Sequence, residues 1–127
     1  MANQNAVAWF EVPVMDMERA IEFYQNVFKV ELERHQMGEM DMAWFPWVEG
    51  AMGAGGSLVK HEMYKPSMDG VLVYFFSPAG DLDVELSRVE GAGGKVLMQK
   101  MLISEDFGYM GVCTDSEGNH IAIHSAQ

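Results

Sequence analysis

The sequence predicts an α+β fold made of two tandem copies of one unit, each with the element order β-α-β-β-β. Residues 8–13 and 73–78 are similar in sequence, and each segment leads to an acidic residue at the same offset, Asp16 or Asp81. An apolar stretch with helical spacing follows each acid. A pattern that returns after about half of a chain indicates a duplicated supersecondary unit. We expect the two copies to form a curved mixed sheet, with the helices outside and a cleft inside.

The first copy is expected to span about residues 6–62. Its first strand, residues 7–14, alternates in the way that a strand requires, with Trp9 and Glu11 on the face opposite Phe10. Three further strands are expected after the helix: residues 30–37, 41–48 and 57–62.

Both helices carry start signals and an apolar stripe. Asp16 and Asp81 are placed to accept hydrogen bonds from free backbone N–H groups at a helix start. The glycine-rich residues 91–94 are expected to end the second helix, because glycine readily adopts the left-handed conformation found there. The stripes consist of Met17, Ala20, Ile21, Tyr24, Val27 and Phe28 in the first helix, and Leu82, Leu86 and Val89 in the second.

Residues 63–69 are expected to link the copies, and the second copy to span about residues 70–125. Its strands are expected at residues 70–77, 95–103, 109–114 and 120–124, with a tight turn at 115–119. At 127 residues the whole chain, 1–127, is expected to be one domain.

Composition indicates which classes of partner and which cellular compartment to expect. Eight basic and 19 acidic residues give a formal net charge of −11, and a negative field of this size repels nucleic acid and anionic lipid. The single cysteine, Cys113, excludes an intrachain disulfide and fits a reducing compartment. No signal peptide or apolar run of 18 residues is visible. We therefore expect a cytoplasmic protein with no nucleic-acid or membrane partner.

Four segments then suggest a family: residues 10–14, residues 16–28 with Phe23-Tyr24, residues 93–96, and residues 107–119 ending in Gly118-Asn119. In this order they resemble the vicinal oxygen chelate superfamily, which groups glyoxalase I, bleomycin-resistance proteins and extradiol dioxygenases. The resemblance covers nearly the whole chain. It is specific for the fold and weak for the chemistry, because one fold hosts many functions.

In metal-using members, four His, Glu or Gln ligands enter the cleft from the first and last strands of both copies. The resemblance places these positions at Trp9, Val59, Tyr74 and Ala122. Indole and aliphatic groups donate no lone pair to a metal, and one tyrosine is a poor substitute for four N or O donors. The resemblance therefore implies that the usual metal site and its metal cofactor are absent here.

Residues two positions further along each strand share the same face. They are Glu11, His61, Phe76 and His124, which we expect to line the cleft as a polar anchor within aromatic walls. Interpretations without a functional role stay open. Each polar side chain is also compatible with a solvent-facing position, and Trp9, Tyr74 and Phe76 are also compatible with packing in the core.

Three functions follow as hypotheses. The first is a metal-independent protein that binds a small apolar or aromatic molecule through the eight cleft residues named above. The second is an isomerase or lyase in which Glu11 and His124, or Glu11 and His61, transfer a proton. The third is a lyase or dioxygenase with a displaced zinc or iron site at Glu11, His61 and His124. The resemblance also implies a homodimer, because members of the family commonly pair.

Overall fold

The structure, a computed structural model, describes residues 5–127, within which the chain forms eight strands and two α-helices. The elements are β1 (Trp9–Pro13), α1 (Met17–Phe28), β2 (Glu33–Met37), β3 (Met40–Trp44), β4 (Gly55–Lys60), β5 (Val73–Phe76), α2 (Leu82–Val89), β6 (Lys95–Ser104), β7 (Gly108–Thr114) and β8 (His120–Ser125). A short 3-10 helix, Glu90–Ala92, extends α2. None of the helices in residues 5–127 is long and apolar enough to cross a membrane.

The strands form two four-stranded mixed sheets with the same internal order, β1-β4-β3-β2 and β5-β8-β7-β6. In each sheet the first and last strands of the unit pair in parallel, and the other pairs are antiparallel. We call β1 to β4 with α1 the first module, and β5 to β8 with α2 the second module. The matching order confirms the predicted α+β fold with two β-α-β-β-β units.

Both helices begin, and the second helix ends, as the sequence predicts. Asp16 accepts a hydrogen bond from the Arg19 N–H (3.1 Å), and Asp81 accepts one from the Asp83 N–H (3.0 Å). After the 3-10 helix, Gly93 adopts the left-handed conformation with φ of 106°, which costs glycine little.

The two modules meet in one aromatic core. Phe10 of β1 and Phe75 of β5 occupy equivalent positions in the repeat, and their rings meet edge to face with centroids 5.5 Å apart. Tyr24 and Phe28 of α1 also pack on Phe75 (5.7 and 5.2 Å between centroids). Helix α1 packs against α2, so both helices lie on the same side of the sheets. The core therefore joins the modules instead of being divided between them.

Several strand ends differ from the sequence-based expectation. β2 begins at Glu33, not residue 30, because the Leu32 N–H donates to Gln25 Oε1 (3.0 Å) and lies outside the ladder. β3 ends at Trp44, since Pro46 two residues later has no N–H to continue the ladder. β4 begins two residues early, at Gly55.

The turn between β7 and β8 ties the second module to the first. Tyr24 Oη donates to Asp115 Oδ2 (2.7 Å), and Asn119 Nδ2 donates to the Pro13 carbonyl (2.8 Å). Burial, together with the negative Asp115, raises the pKa of Tyr24 well above its ordinary value. The phenol therefore stays a neutral donor to the carboxylate.

Glu117, in the same turn, binds residues at the start of α1. Its carboxylate accepts hydrogen bonds from the backbone N–H groups of Met15 (2.9 Å) and Asp16 (2.8 Å), and from the Arg19 guanidinium (2.6 and 2.9 Å). Burial by itself raises the pKa of Glu117, but these hydrogen bonds outweigh burial and lower the pKa to about 2. The link is thus an ionised carboxylate at neutral pH.

Candidate functional site

Each sheet has one face against the helices and one open face. In β1, Phe10 and Val12 pack toward the helices, so Trp9 and Glu11 belong to the open face. Residues opposite each other in a ladder share a face. The register Trp44–Ser57–Glu11 therefore places these three side chains in one row on the open face of the first sheet.

A pocket of about 560 Å³ lies between β1 and β5, where the two modules meet. It brings together Trp9, Tyr74 and Phe76, which the sequence nominated as cleft residues and which are 40%, 50% and 56% exposed. No Asp, Glu, Lys, Arg or His side chain is among the described residues that line it. The walls also include Phe10, Phe45, Pro46, Leu72, Val73 and Phe75.

Glu11 borders a different, smaller cavity of about 240 Å³, together with Lys65 and His120. The His120 ring nitrogen Nε2 lies 3.1 Å from the Gly70 carbonyl oxygen, to which it can donate. Nothing in the sequence predicts that His120, directly after the turn at residues 115–119, borders the same cavity as Glu11. The pairing of β8 with β5, next to β1, was the signal that could have found it.

The two remaining polar candidates lie elsewhere. His61 borders a cavity of about 350 Å³, where its Nδ1 accepts a hydrogen bond from the Met63 N–H (3.1 Å) and its Nε2 lies 3.9 Å from Glu39. His124 Nε2 donates to the Phe107 carbonyl (2.5 Å). Glu11, His61 and His124 therefore border separate cavities within one chain. Among residues 5–127, no three His, Cys, Asp or Glu side chains are grouped so as to hold a metal ion.

The ladder register corrects one assumed equivalence between the modules. Tyr74 lies opposite Ala122, whereas Trp9 lies opposite Gly55, and Val59 lies opposite Pro13. Because Trp9 and Tyr74 are equivalent in the repeat, the residue that corresponds to Ala122 is Gly55, and Val59 lies four residues after it. The physical reason is that β4 begins at Gly55, whereas the sequence predicts that this strand begins at residue 57.

Indole rings occupy the space above Gly55. A Cβ atom added there would lie 2.6 Å from Trp47 Cε3 and 3.3 Å from Trp9 Cζ3. The glycine is therefore required for the close approach of both rings. Trp47 lies just after β3, in the aromatic run at residues 44–47.

Two buried polar atoms in residues 5–127 have no hydrogen-bond partner, the Trp44 Nε1 and the Ser57 Oγ. They belong to residues paired across β3 and β4, in the same row as Glu11. Trp44 stacks on His35 (3.9 Å between centroids) and meets Trp9 edge to face (5.5 Å). Nothing in the sequence marks Ser57 as a candidate site residue, because a single serine forms no motif.

Comparison with protein families identifies the chain. A model of the Glyoxalase/Bleomycin resistance protein/Dioxygenase superfamily matches residues 6–123. The chain belongs to this superfamily, and the resemblance to vicinal oxygen chelate proteins is confirmed. A comparison with curated proteins gave no match.

Solved structures share the fold. A glyoxylase/bleomycin resistance protein/dioxygenase domain from a Frankia species has a TM-score of 0.71 at 16% identity, covering 98% of this chain and 99% of that chain. TnmS3, an antibiotic binding protein from a Streptomyces species, has a TM-score of 0.63 at 22% identity, covering 98% of each chain. A glyoxalase I variant from Zea mays has a TM-score of 0.67 at 16% identity, covering 94% of this chain and 45% of that chain. This chain therefore spans less than half the length of the maize enzyme.

Proposed function

We propose that this chain is a small-molecule binding protein that holds a flat, uncharged aromatic molecule between its two modules. The observation that carries the proposal is the 560 Å³ pocket between β1 and β5, which has aromatic walls and no charged lining residue in a chain of net charge −11. Ligand sites are commonly apolar pockets of this size at the junction of structural units.

The walls favour an aromatic ligand over an aliphatic one. Trp9, Tyr74 and Phe76 line the pocket and are each at least 40% exposed, so a ligand can contact their aromatic side chains. An aromatic pair contributes about 0.5–1.5 kcal/mol beyond the area that it buries. A charged ligand would lose its hydration there without gaining a partner of opposite charge.

The proposal excludes metal chemistry at the positions that the superfamily uses. Trp9, Tyr74 and Ala122 stand at three of these positions, and the fourth is Gly55 by register or Val59 by motif. None of these is one of the His, Glu or Gln ligands of metal-using relatives. TnmS3, which has the same fold, is an antibiotic binding protein, and this supports a binding role for the fold.

A neutral fluorescent probe, N-phenyl-1-naphthylamine, tests the proposal. The probe is titrated into the wild type, into Phe76→Ala and into the matched control Phe107→Ala. Phe76 lines the pocket, whereas Phe107 is 69% exposed outside it. We expect saturable binding by the wild type, and a Kd that rises about three- to tenfold in Phe76→Ala, the equivalent of one aromatic contact.

The control decides whether the binding is specific. Phe107→Ala is expected to bind the probe like the wild type. Absence of saturable binding by the wild type, or equal weakening in both variants, would contradict the proposal.

The proposal includes a homodimer in the cytoplasm. The dimer rests on the superfamily to which the chain belongs, because members of this superfamily commonly pair. Sedimentation equilibrium tests the dimer, and fractionation of cells tests the location. Proton transfer between Glu11 and His124 would require two subunits, because within one chain they border different cavities.

A further inference from the structure

Soft metal donors are concentrated on the open face of the second sheet. The ladder register Met101–Met110–His124–Phe76 forms one row across all four strands, and Met98 lies in the next row. Side chains opposite each other in such rows have Cβ atoms about 4.5–5.5 Å apart. We call Met98, Met101, Met110 and His124 the methionine cluster.

The three thioethers are within reach of one another. Met98 and Met101 are 42% and 46% exposed on the edge strand β6, so their side chains are accessible from solvent. Met110 lies between the edge strand and His124, and its sulfur is 3.6 Å from the Tyr74 hydroxyl. A methionine side chain has three rotatable bonds, which allow sulfurs from neighbouring positions to meet at one point.

The hydrogen bond of His124 leaves its other ring nitrogen available as a ligand. His124 Nε2 lies 2.5 Å from the Phe107 carbonyl oxygen, and a carbonyl only accepts, so Nε2 carries the proton. In the neutral ring this leaves the Nδ1 lone pair unprotonated. Metal-binding histidines commonly donate the other ring N–H to a carbonyl or carboxylate, which fixes the ring in this way.

We propose that the methionine cluster binds one Cu(I) ion. Thioether sulfur is a soft ligand that favours Cu(I), and an imidazole nitrogen completes a donor set of three sulfurs and one nitrogen. The donor set lacks the carboxylates and carbonyls that Mg²⁺, Ca²⁺ and Mn²⁺ prefer. The net charge of −11 draws cations toward the surface. This site adjoins the proposed aromatic pocket, since Tyr74 contacts Met110, but none of the four donors lines that pocket.

The test is an anaerobic competition between the tag-free protein and the Cu(I) chelator bathocuproine disulfonate, followed by absorbance. The wild type is compared with Met101→Leu/Met110→Leu and with the control Met37→Leu/Met63→Leu. Met37 and Met63 are 57% and 79% exposed and, unlike Met52, they do not share a cavity with His124. Leucine keeps the volume and apolar character of methionine, so both doubles are expected to fold.

We expect one Cu(I) per chain and an affinity that falls about tenfold or more in Met101→Leu/Met110→Leu, but stays within about twofold of wild type in the control. A measurement on the wild type does not depend on how the variants fold. With methionine methyl groups labelled with ¹³C, Ag(I) as a redox-inert probe is expected to shift the Met98, Met101 and Met110 signals. Failure to take Cu(I) from the chelator, equal losses in both doubles, or Ag(I) shifts confined to other methionines would overturn the proposal.

Discussion

Replacing Glu117 with glutamine is expected to weaken the link between the β7–β8 turn and the start of α1. The carboxylate side chain is fully buried and receives hydrogen bonds from Met15, Asp16 and Arg19. Glutamine keeps the shape and one acceptor oxygen of the side chain, but it has no charge. Its NH2 group replaces the second oxygen and is a donor facing the guanidinium. The variant therefore removes the ion pair while keeping the size of the side chain.

The expected size follows from the pKa. The Glu117 pKa falls from an ordinary value of 4.5 to about 2, and each unit corresponds to about 1.4 kcal/mol, which sets an upper limit of about 3 kcal/mol. Arg19 is 54% exposed, so solvent screens the ion pair. We expect Glu117→Gln to lower the free energy of unfolding by about 1–2 kcal/mol at pH 7.

The pH dependence gives the decisive signature. A carboxyl whose pKa is lower in the folded state stabilises the protein fully above its unfolded pKa, here 4.5, and loses that contribution as the pH falls toward about 2. The difference between wild type and Glu117→Gln is therefore expected to shrink between pH 7 and pH 3. Urea unfolding followed by tryptophan fluorescence measures it at both pH values.

The control is Glu105→Gln, a change of the same kind at an exposed position in the β6–β7 turn. It is expected to alter the free energy of unfolding by less than about 0.5 kcal/mol at either pH. An equal difference for Glu117→Gln at pH 7 and pH 3, or no difference from the control, would refute the reasoning.

Three further predictions concern the core and the module contact. Tyr24→Phe removes the hydrogen bond to Asp115 and is expected to lower the free energy of unfolding by about 1–3 kcal/mol in urea titrations. Gly94→Ala is expected to lower the free energy of unfolding by about 1–3 kcal/mol, because the added Cβ would collide with the Thr114 carbonyl. Gly91→Ala is the control: it has open space around it and is expected to leave the free energy of unfolding nearly unchanged in the same titrations. Cys113 is buried with its pKa raised to about 12, so iodoacetamide is expected to modify it in urea but not in the native protein, as mass spectrometry would show.

The sequence was sufficient for the architecture because the repeat and the helix caps are local signals. Asp16 and Asp81 lie at equal offsets in the two copies, and both cap helices in the structure. The same repeat made Phe10 and Phe75 equivalent, and their rings meet at the junction of the modules. Alternation also placed Trp9 and Tyr74 together at one pocket.

The candidate site was only partly predictable, because alternation gives the face of a residue but not the distance between sheets. Glu11 and His124 lie on the open faces of different sheets, and how these sheets sit side by side depends on packing between modules. The β4 register was also hidden from the sequence. Glycine-rich segments resemble loops, and only the rings of Phe10 and Trp47 show why glycine is needed within this strand.

A crystal structure of the protein with N-phenyl-1-naphthylamine tests the central claim most directly. We predict density for the probe between β1 and β5, with its rings against Trp9, Tyr74 and Phe76, the three exposed aromatic residues of the pocket. Density for the probe at another surface only, or a metal ion held at Trp9, Tyr74 and their ladder partners Gly55 and Ala122, would contradict the account.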